Sequence, residues 1–197
     1  MCQSLPLDAS LWRNLFLLGR DIADQVRTLG CSHCSGKLHV ANDPRKPRGV
    51  HRHLLGPEYT RRLSFCCSVC HKRTTPPSVR FLGRKVYLGS IITLLSAGVH
   101  ALSPKQRDAL LDELDVPAQT LHRWRRWWSQ LLPASATWRS LSGWFSPPLQ
   151  PGQLPAELLR RLTGNTLTVR LKQLLCLICP LTSGSCSHWR QGAYENS

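Results

Sequence analysis

Cys31-Ser32-His33-Cys34 and Cys67-Ser68-Val69-Cys70 are two Cys-x-x-Cys pairs that bracket a basic, proline-rich insert. A Cys-x-x-Cys turn brings two sulfurs together from one short loop, and two such turns supply the four thiolates of a closed tetrahedral zinc site. The insert is rich in Pro, Arg, His and Gly, a composition that does not build a hydrophobic core unaided. We therefore predict a structural Zn²⁺ ion with the ligands Cys31, Cys34, Cys67 and Cys70.

Other interpretations of the cysteines stay open. Cys66 is an alternative to Cys67, although the Cys66–Cys70 spacing is one residue longer than a Cys-x-x-Cys turn. The pairs could also be buried or redox-active thiols. Cys176 and Cys179 lie in an apolar segment, where we expect them to pack as small hydrophobic residues. A site closed by four protein ligands has no position for a reactive water, so we do not expect a catalytic zinc.

The positive charge of the chain is concentrated between the two cysteine pairs and just after them. The net charge is +15 over 197 residues, and residues 31–85 hold twelve Lys and Arg against Asp43 and Glu58, a net of +10. Such an excess opposes compaction and is typical of proteins that release counterions from nucleic-acid phosphates. A merely solvated face is the competing interpretation. The predicted nucleic-acid contacts here are Arg45, Lys46, Arg48, Arg52, Arg61, Arg62, Lys72, Arg73, Arg80, Arg84 and Lys85.

Apolar periodicity predicts helices on both sides of this segment. Residues 8–29 repeat apolar side chains every three or four positions and end before Gly30, which suits a helix C′ position. The fold class is therefore mainly α with a small zinc ribbon (α plus short β), followed by a helix-turn-helix bundle. The predicted divisions are an N-terminal amphipathic helix (1–30), the basic zinc ribbon (31–85), the helix-turn-helix (86–132), a linker (133–154), and a C-terminal helical segment and tail (155–197).

The predicted helix-turn-helix has a second helix with distinct inner and outer faces. Ser103, Pro104 and Gln106 form a capping box for the first helix, over residues 103–114. The second helix, over residues 118–131, is predicted to turn Leu121, Trp124, Trp128 and Leu131 to one face. In a helix-turn-helix this helix lies in the major groove, where Gln pairs with adenine and Arg with guanine. The predicted base contacts are Gln119, His122, Arg123 and Arg126; an ordinary helical hairpin with a Trp-rich core is the alternative.

Sequence motifs of catalysis and of membrane insertion are not found. The chain has no Walker loop, GxSxG elbow or HExxH motif, and we expect no enzymatic activity. The N-terminus does not read as a signal peptide, and no apolar run reaches about 18 residues. We therefore expect a cytoplasmic, nucleoid-associated protein without a membrane partner.

A zinc ribbon followed by a helix-turn-helix resembles the N-terminal DNA-binding region of insertion-sequence transposases and of mobile-element accessory proteins. The resemblance covers residues 31–130 and rests on the four cysteines and on Val116 to Trp124. It implies DNA binding and a transposase or other mobile-element protein as partner. Residues 132–197 contain only Glu157 and Glu195 as acids, so the three-acid RNase-H-like domain of such transposases is not expected. An accessory factor in transposition is the prediction that follows.

Several alternative functions remain. The chain could be a transcription regulator, an RNA-binding component of a ribonucleoprotein, or a compact nuclease fragment. An adapter between proteins is a further alternative, with Trp127, Trp138 and Trp144 as its exposed contacts. DNA is favoured over RNA as the polymer.

Overall fold

The computed structural model describes residues 9–44, 61–82, 87–98 and 103–182. They form a mainly helical protein with small antiparallel sheets. The helices are α1 (Ala9–Leu29), α2 (Gly89–Gly98), α3 (Pro104–Glu113), α4 (Ala118–Arg126), α5 (Ala136–Ser142), α6 (Ala156–Arg161) and α7 (Leu167–Ile178). The strands are β1 (Leu38–Val40), β2 (Asp43–Pro44), β3 (Arg61–Arg62), β4 (Phe65–Cys67), β5 (Arg73–Thr74), β6 (Phe81–Leu82) and β7 (Tyr87–Leu88).

Helix α1 confirms the amphipathic pattern of the N-terminal segment. Leu11, Leu15 and Val26 are buried along one face, and arginines and aspartates occupy the opposite face. Gly30 has φ of +81°, the left-handed conformation that glycine adopts most easily after a helix. Its backbone therefore ends the helix and turns the chain into the first Cys-x-x-Cys pair.

The two cysteine pairs are joined by a three-stranded antiparallel sheet with strand order β1-β4-β5. Leu38 pairs with Cys67 across β1 and β4, and Phe65 pairs with Thr74 across β4 and β5. Below the sheet, Leu38 and Phe65 pack with Ala23 and Val26 of α1 in a small core that also contains Cys31 and Cys67. We call this sheet, its two cysteine turns and strand β3, which leads into β4, the ribbon.

The other helices form a larger body around α2. Residues 91–96 of α2 are all buried, and α2 packs against α4, α6 and α7. Its near-continuous apolar sequence suits a helix covered on most sides. The first half of α1 joins this core through Leu11, Trp12 and Leu15. None of the helices in the described part of the chain is long and apolar enough to cross a membrane.

The predicted start of α3 is confirmed in atomic detail. The Ser103 hydroxyl accepts a hydrogen bond from the Gln106 N–H, and the Gln106 side chain accepts one from the Ser103 N–H. Helix α3 is followed by a short turn in which Leu114 and Val116 are buried and Asp115 has φ of +51°. Helix α4 then begins at Ala118.

The inner face predicted for residues 118–131 is correct up to Trp128 and wrong at Leu131. After α4 the chain makes a π-helical turn, Trp127–Leu131, closed by the hydrogen bond from the Leu132 N–H to the Trp127 carbonyl at 2.8 Å. Each π turn takes in one residue more than an α turn. Leu131 is consequently 56% exposed, and Leu132 is buried in its place with 1% exposure.

The segment 133–154 is part of the core and is not a loose linker. It contains helix α5, whose N-cap Ser135 accepts a hydrogen bond from the Trp138 N–H. Trp138, Leu149 and Leu154 are buried in the main core. Three apolar side chains spaced through a Pro-, Ser- and Gly-rich stretch therefore anchor it. The following segment is helical as predicted and is divided into two helices, because α6 ends at Arg161 and α7 starts at Leu167.

Candidate metal centre and basic surfaces

Four cysteine sulfurs gather at one end of α1. The Sγ atoms of Cys31, Cys34, Cys67 and Cys70 all lie within 4.8 Å of one another. The closest pairs cross between the two turns, with Cys31–Cys70 at 3.5 Å and Cys34–Cys67 at 3.4 Å. All four are free thiols. Cys66 is not part of the cluster: its Sγ donates to the His71 carbonyl oxygen at 3.4 Å, which decides the choice between Cys66 and Cys67.

The two cysteine turns repeat one backbone geometry. In the first turn the Cys31 N–H donates to the Gly36 carbonyl and the Ser35 N–H donates to the Cys31 carbonyl. In the second turn the Cys67 N–H donates to the Lys72 carbonyl and the His71 N–H to the Cys67 carbonyl, at the equivalent positions. Ser35 and His71 both adopt positive φ, at 57° and 56°. Non-glycine residues rarely do so, and the repetition indicates that both turns are shaped for the same task.

Gly36 allows the second turn to approach the first. A Cβ atom at this position would lie 2.9 Å from the Cys67 Sγ and 2.9 Å from the Val69 Cγ2. Real Cβ atoms do not come so close, so a side chain here would push the sulfurs of the two turns apart. The small residue is therefore part of the construction of the cluster.

Backbone amides favour the thiolate at the first cysteine of each turn. The Val69 N–H lies 3.4 Å from the Cys67 Sγ, and the His33 N–H lies 3.5 Å from the Cys31 Sγ. Amides of Cys70 and Val69 lower the pKa of Cys67 to about 6, and the His33 amide is the main cause of the lowered pKa of Cys31. The cluster is thus prepared to hold negative sulfur.

Cys70 titrates in the opposite direction. The Lys72 amide favours its thiolate, but burial and the neighbouring thiols together raise its pKa to about 12. Four sulfurs at this spacing cannot all be ionised without a cation between them, because like charges disfavour one another. A metal ion would remove this conflict, since a coordinated thiol is deprotonated outright.

The spacing of the sulfurs suits a metal ion. Zinc–sulfur bonds of ~2.3 Å in a regular tetrahedron place the sulfurs ~3.8 Å apart. The cross-turn pairs at 3.4 and 3.5 Å, with all atoms within 4.8 Å, fall around this value. The four cysteines can therefore bind a metal ion.

The ribbon presents positive charge to solvent. Lys37, Arg61, Lys72 and Arg73 are exposed, and the Arg73 guanidinium also donates to the Ala41 carbonyl at 2.8 Å. Residues 31–42 and 61–82 contain no Asp or Glu. Among the predicted contacts, Arg45, Lys46, Arg48, Arg52, Arg84 and Lys85 lie outside the described residues.

Arg80 does not lie on the basic surface, and its prediction as a nucleic-acid contact is wrong. Its side chain is 2% exposed. The guanidinium donates to the Arg61 carbonyl at 3.1 Å and stacks 5.2 Å from the Phe16 ring and 4.9 Å from the Phe81 ring. The sequence gives no sign of this burial, because the hydrogen-bond acceptor, Arg61, and the Phe16 ring are both distant in the chain.

Arg62 is also partly buried. Its guanidinium donates a hydrogen bond to the Thr182 carbonyl at 2.9 Å. The Thr182 hydroxyl accepts from the Ser78 N–H at 2.7 Å. Together with Arg80, these contacts form a polar junction between the ribbon and the body. The sequence contains no recognisable signal for Thr182, because its partners are about 100 residues away.

Helix α4 presents the predicted base contacts on one exposed face. Gln119, His122, Arg123 and Arg126 are all exposed, while Thr120 and Leu121 are buried on the other side. The Arg123 guanidinium donates to the Thr120 hydroxyl at 3.2 Å, and the Arg126 Nε donates to the Gln130 side chain at 3.0 Å. Residues 118–131 include no Asp or Glu. The face is therefore polar and cationic throughout.

The second cysteine pair and the tryptophans behave differently from the ribbon cysteines. Cys179 is buried in the main core as predicted, and burial raises its pKa to about 12. Cys176 is exposed, so the prediction that it packs as a small hydrophobic residue is wrong there. Of the three tryptophans considered as adapter contacts, Trp138 is buried and Trp127 is half-buried, whereas Trp144 is 73% exposed.

Comparison of the chain with protein-family models, with curated proteins and with solved structures finds no match.

Proposed function

We propose that this protein binds duplex DNA and that a zinc ion held by the four cysteines folds its ribbon. The observation that carries the proposal is the exposed face of α4, on which Gln119, His122, Arg123 and Arg126 stand together. The role of an accessory factor in transposition is the specific form of this proposal, and it rests on the resemblance of residues 31–130 alone. A transcription regulator would use the same contacts.

Zinc is the proposed metal because of the ligand chemistry. Four thiolates are soft ligands that select zinc or iron–sulfur chemistry over magnesium and calcium. A closed set of four cysteines is typical of structural zinc. The ribbon core is small, with Leu38 and Phe65 packed on Ala23 and Val26, so a metal cross-link would supply much of its stability. Zinc here holds the fold and takes no part in a reaction.

Duplex DNA is the proposed polymer because the reading surface is a helix. The B-DNA major groove is wide enough to admit an α-helix, whereas the major groove of A-form RNA is deep and narrow. Gln119 and Arg123 carry the side chains that pair with adenine and guanine. The cations of the ribbon add phosphate contacts, which set affinity and carry no sequence information.

The experiment is a titration of a duplex DNA library at several salt concentrations. We expect the logarithm of the affinity to fall linearly with the logarithm of salt, because bound phosphates release counterions. The double variant Arg123→Gln, Arg126→Gln should weaken binding and flatten any base preference among the selected sequences. Structured RNA, tested in parallel, should bind less tightly; equal or tighter RNA binding would replace DNA by RNA in the proposal.

The matched control removes the same charge elsewhere. Arg13 on α1 and Lys105 on α3 are exposed cations on other helices than α4. Arg13→Gln with Lys105→Gln should leave the base preference unchanged. If the control and the α4 variant lose affinity equally, with no change of preference, the binding is a response to net charge and α4 is not the reading helix.

A further inference from the structure

The two basic surfaces belong to different parts of the molecule. The exposed α4 face belongs to the helical body. Leu121 and Trp128, on the opposite side of the same segment, are buried in the main core. The cations of the ribbon surround a separate small core, which contains Leu38 and Phe65. No buried residue belongs to both cores among the residues that the structure describes.

Helix α1 separates these two cores. Leu11 and Leu15, in its first half, belong to the main core, and Ala23 and Val26, in its second half, belong to the ribbon core. At 1.5 Å per residue, Leu15 and Val26 are roughly 16 Å apart along the helix. The packing order adds to this separation, since α4 packs on α2, α2 on α7, α7 on α1, and α1 on β1.

The polar junction connects the ribbon to the body at two points. Arg80 lies against the middle of α1, 5.2 Å from the Phe16 ring, and its guanidinium donates to the Arg61 carbonyl at the start of β3. Arg62 adds a second hydrogen bond, to Thr182 in the turn after α7. Both hydrogen bonds are at least partly buried.

From this arrangement we infer that one chain has two separate DNA contacts and holds two duplex segments at once. The ribbon contact is centred on Lys37 and Lys72. Their backbone carbonyls accept hydrogen bonds from the Ser68 and Cys67 N–H groups, so both lysines lie beside the second cysteine turn. The α4 contact is the face with Arg123 and Arg126. This inference rests on the proposed DNA binding and adds to it the number of segments bound.

Acidic residues are exposed on α1, which joins the two cores, and on α3, which precedes α4 in the chain. Asp21 and Asp24 are exposed on α1, and Asp108, Asp112 and Glu113 are exposed on α3. A duplex laid along α1 toward the ribbon would meet Asp21 and Asp24, and like charges repel phosphate. Two cationic surfaces on separate cores favour two duplex segments over one continuous track.

The test is a bridging assay with two duplexes of about 30 base pairs, roughly three helical turns each. One duplex is fixed to beads and the other carries a fluorescent label. The full chain should retain the labelled duplex on the beads. The ribbon variant Lys37→Gln, Lys72→Gln and the α4 variant Arg123→Gln, Arg126→Gln should each still bind a single duplex in solution and each lose retention to the level of beads without protein.

The control variant Arg13→Gln, Lys105→Gln should bridge like the unchanged chain. If the ribbon variant still bridges and the α4 variant binds no duplex, bridging comes from a dimer with one site per chain and the inference is wrong. Binding of a single duplex by the full chain without bridging also overturns it, while the proposed DNA binding stands. A chain that binds no duplex at all would remove both.

Discussion

The ribbon and the helical body are stabilised by different means. The ribbon core consists of a few apolar side chains with Cys31 and Cys67 among them, whereas the body buries a continuous apolar core around α2. A small core contributes little against the entropy of ordering a chain, so the ribbon would depend on a metal cross-link between its four cysteines. The body depends on packing. The comparison teaches that metal removal should destabilise the ribbon, whereas a cavity in the core should destabilise the body.

Loss of a ligand should have the largest effect, and only on the ribbon. Structural zinc contributes ~10–16 kcal/mol of apparent binding free energy in small zinc-binding peptides. We therefore expect Cys67→Ser to lose its metal and to unfold the ribbon. Metal content by mass spectrometry and hydrogen exchange at residues 31–42 and 61–74 would measure this, and the amides of α2 and α7 should stay protected.

Cys66→Ser is the matched control, because Cys66 precedes Cys67 on β4 and its sulfur faces the His71 carbonyl instead of the cluster. This variant should keep its metal and its exchange protection. Equal metal loss in both variants, or a metal-free native protein with an ordered ribbon, would contradict the role given to the four sulfurs.

A cavity in the body should have the next largest effect. Leu132 is 1% exposed and Leu131 is 56% exposed. Leu132→Ala should lower the free energy of unfolding by about 2–5 kcal/mol, and Leu131→Ala by less than about 0.5 kcal/mol. Urea denaturation followed by Trp fluorescence would measure both. The reverse order would mean that the chain continues as a regular α-helix through residue 131.

Arg80→Met tests the junction between the two regions. The variant loses the donor to the Arg61 carbonyl and the contacts with the Phe16 and Phe81 rings. Leaving a buried carbonyl without its partner costs about 1–3 kcal/mol, and we expect the lower end of this range because the Arg61 carbonyl is only partly buried. We expect the ribbon to keep its metal and to lose protection at a lower urea concentration than in the unchanged chain. Arg20→Met, at an exposed position of α1, is the control and should leave both transitions where they are in the unchanged chain.

How much of each region the sequence predicts follows from the kind of interaction. The clustering of the four cysteines was predictable because metal chemistry restricts ligands to a few residue types at a fixed spacing. The Ser103 cap was predictable because its partner is three residues away. Leu132 was not, because periodicity assumes an α-helix and the π turn shifts the register. Arg80 and Thr182 were missed because residue type and charge do not reveal contacts made across the chain.

The candidate DNA contacts show the same difference between local and long-range interactions. The exposure of Gln119, His122, Arg123 and Arg126 was predicted from helical periodicity, which is a local property. The surface charge of the ribbon was overestimated at Arg80, since a charged residue counted from composition can be used inside the protein. Trp138 shows the same limit in the other direction, because a Pro- and Ser-rich neighbourhood concealed a core residue.

Lowering the pH should destabilise the ribbon and the body at different pH values, because different ionisable groups stabilise them. A metal ion would be held by thiolates, so its affinity falls as protons compete for sulfur, and we expect release at a higher pH than the acid unfolding of the body. In the body, hydrogen bonds and charge from Arg160 and Arg161 lower the pKa of Glu157 from 4.5 to about 2. A carboxyl group with a lowered pKa stabilises the fold above pH 4.5, and this stabilisation is lost as the pH falls toward 2.

Two signals would follow the two regions. All tryptophans lie outside residues 31–85, so Trp fluorescence should change only at the lower pH values, after a chromogenic chelator has recorded metal release. Glu157→Gln should reduce the thermal midpoint at pH 7 and have no effect at pH 2; a single transition with both signals together would show that the ribbon and the body do not unfold independently.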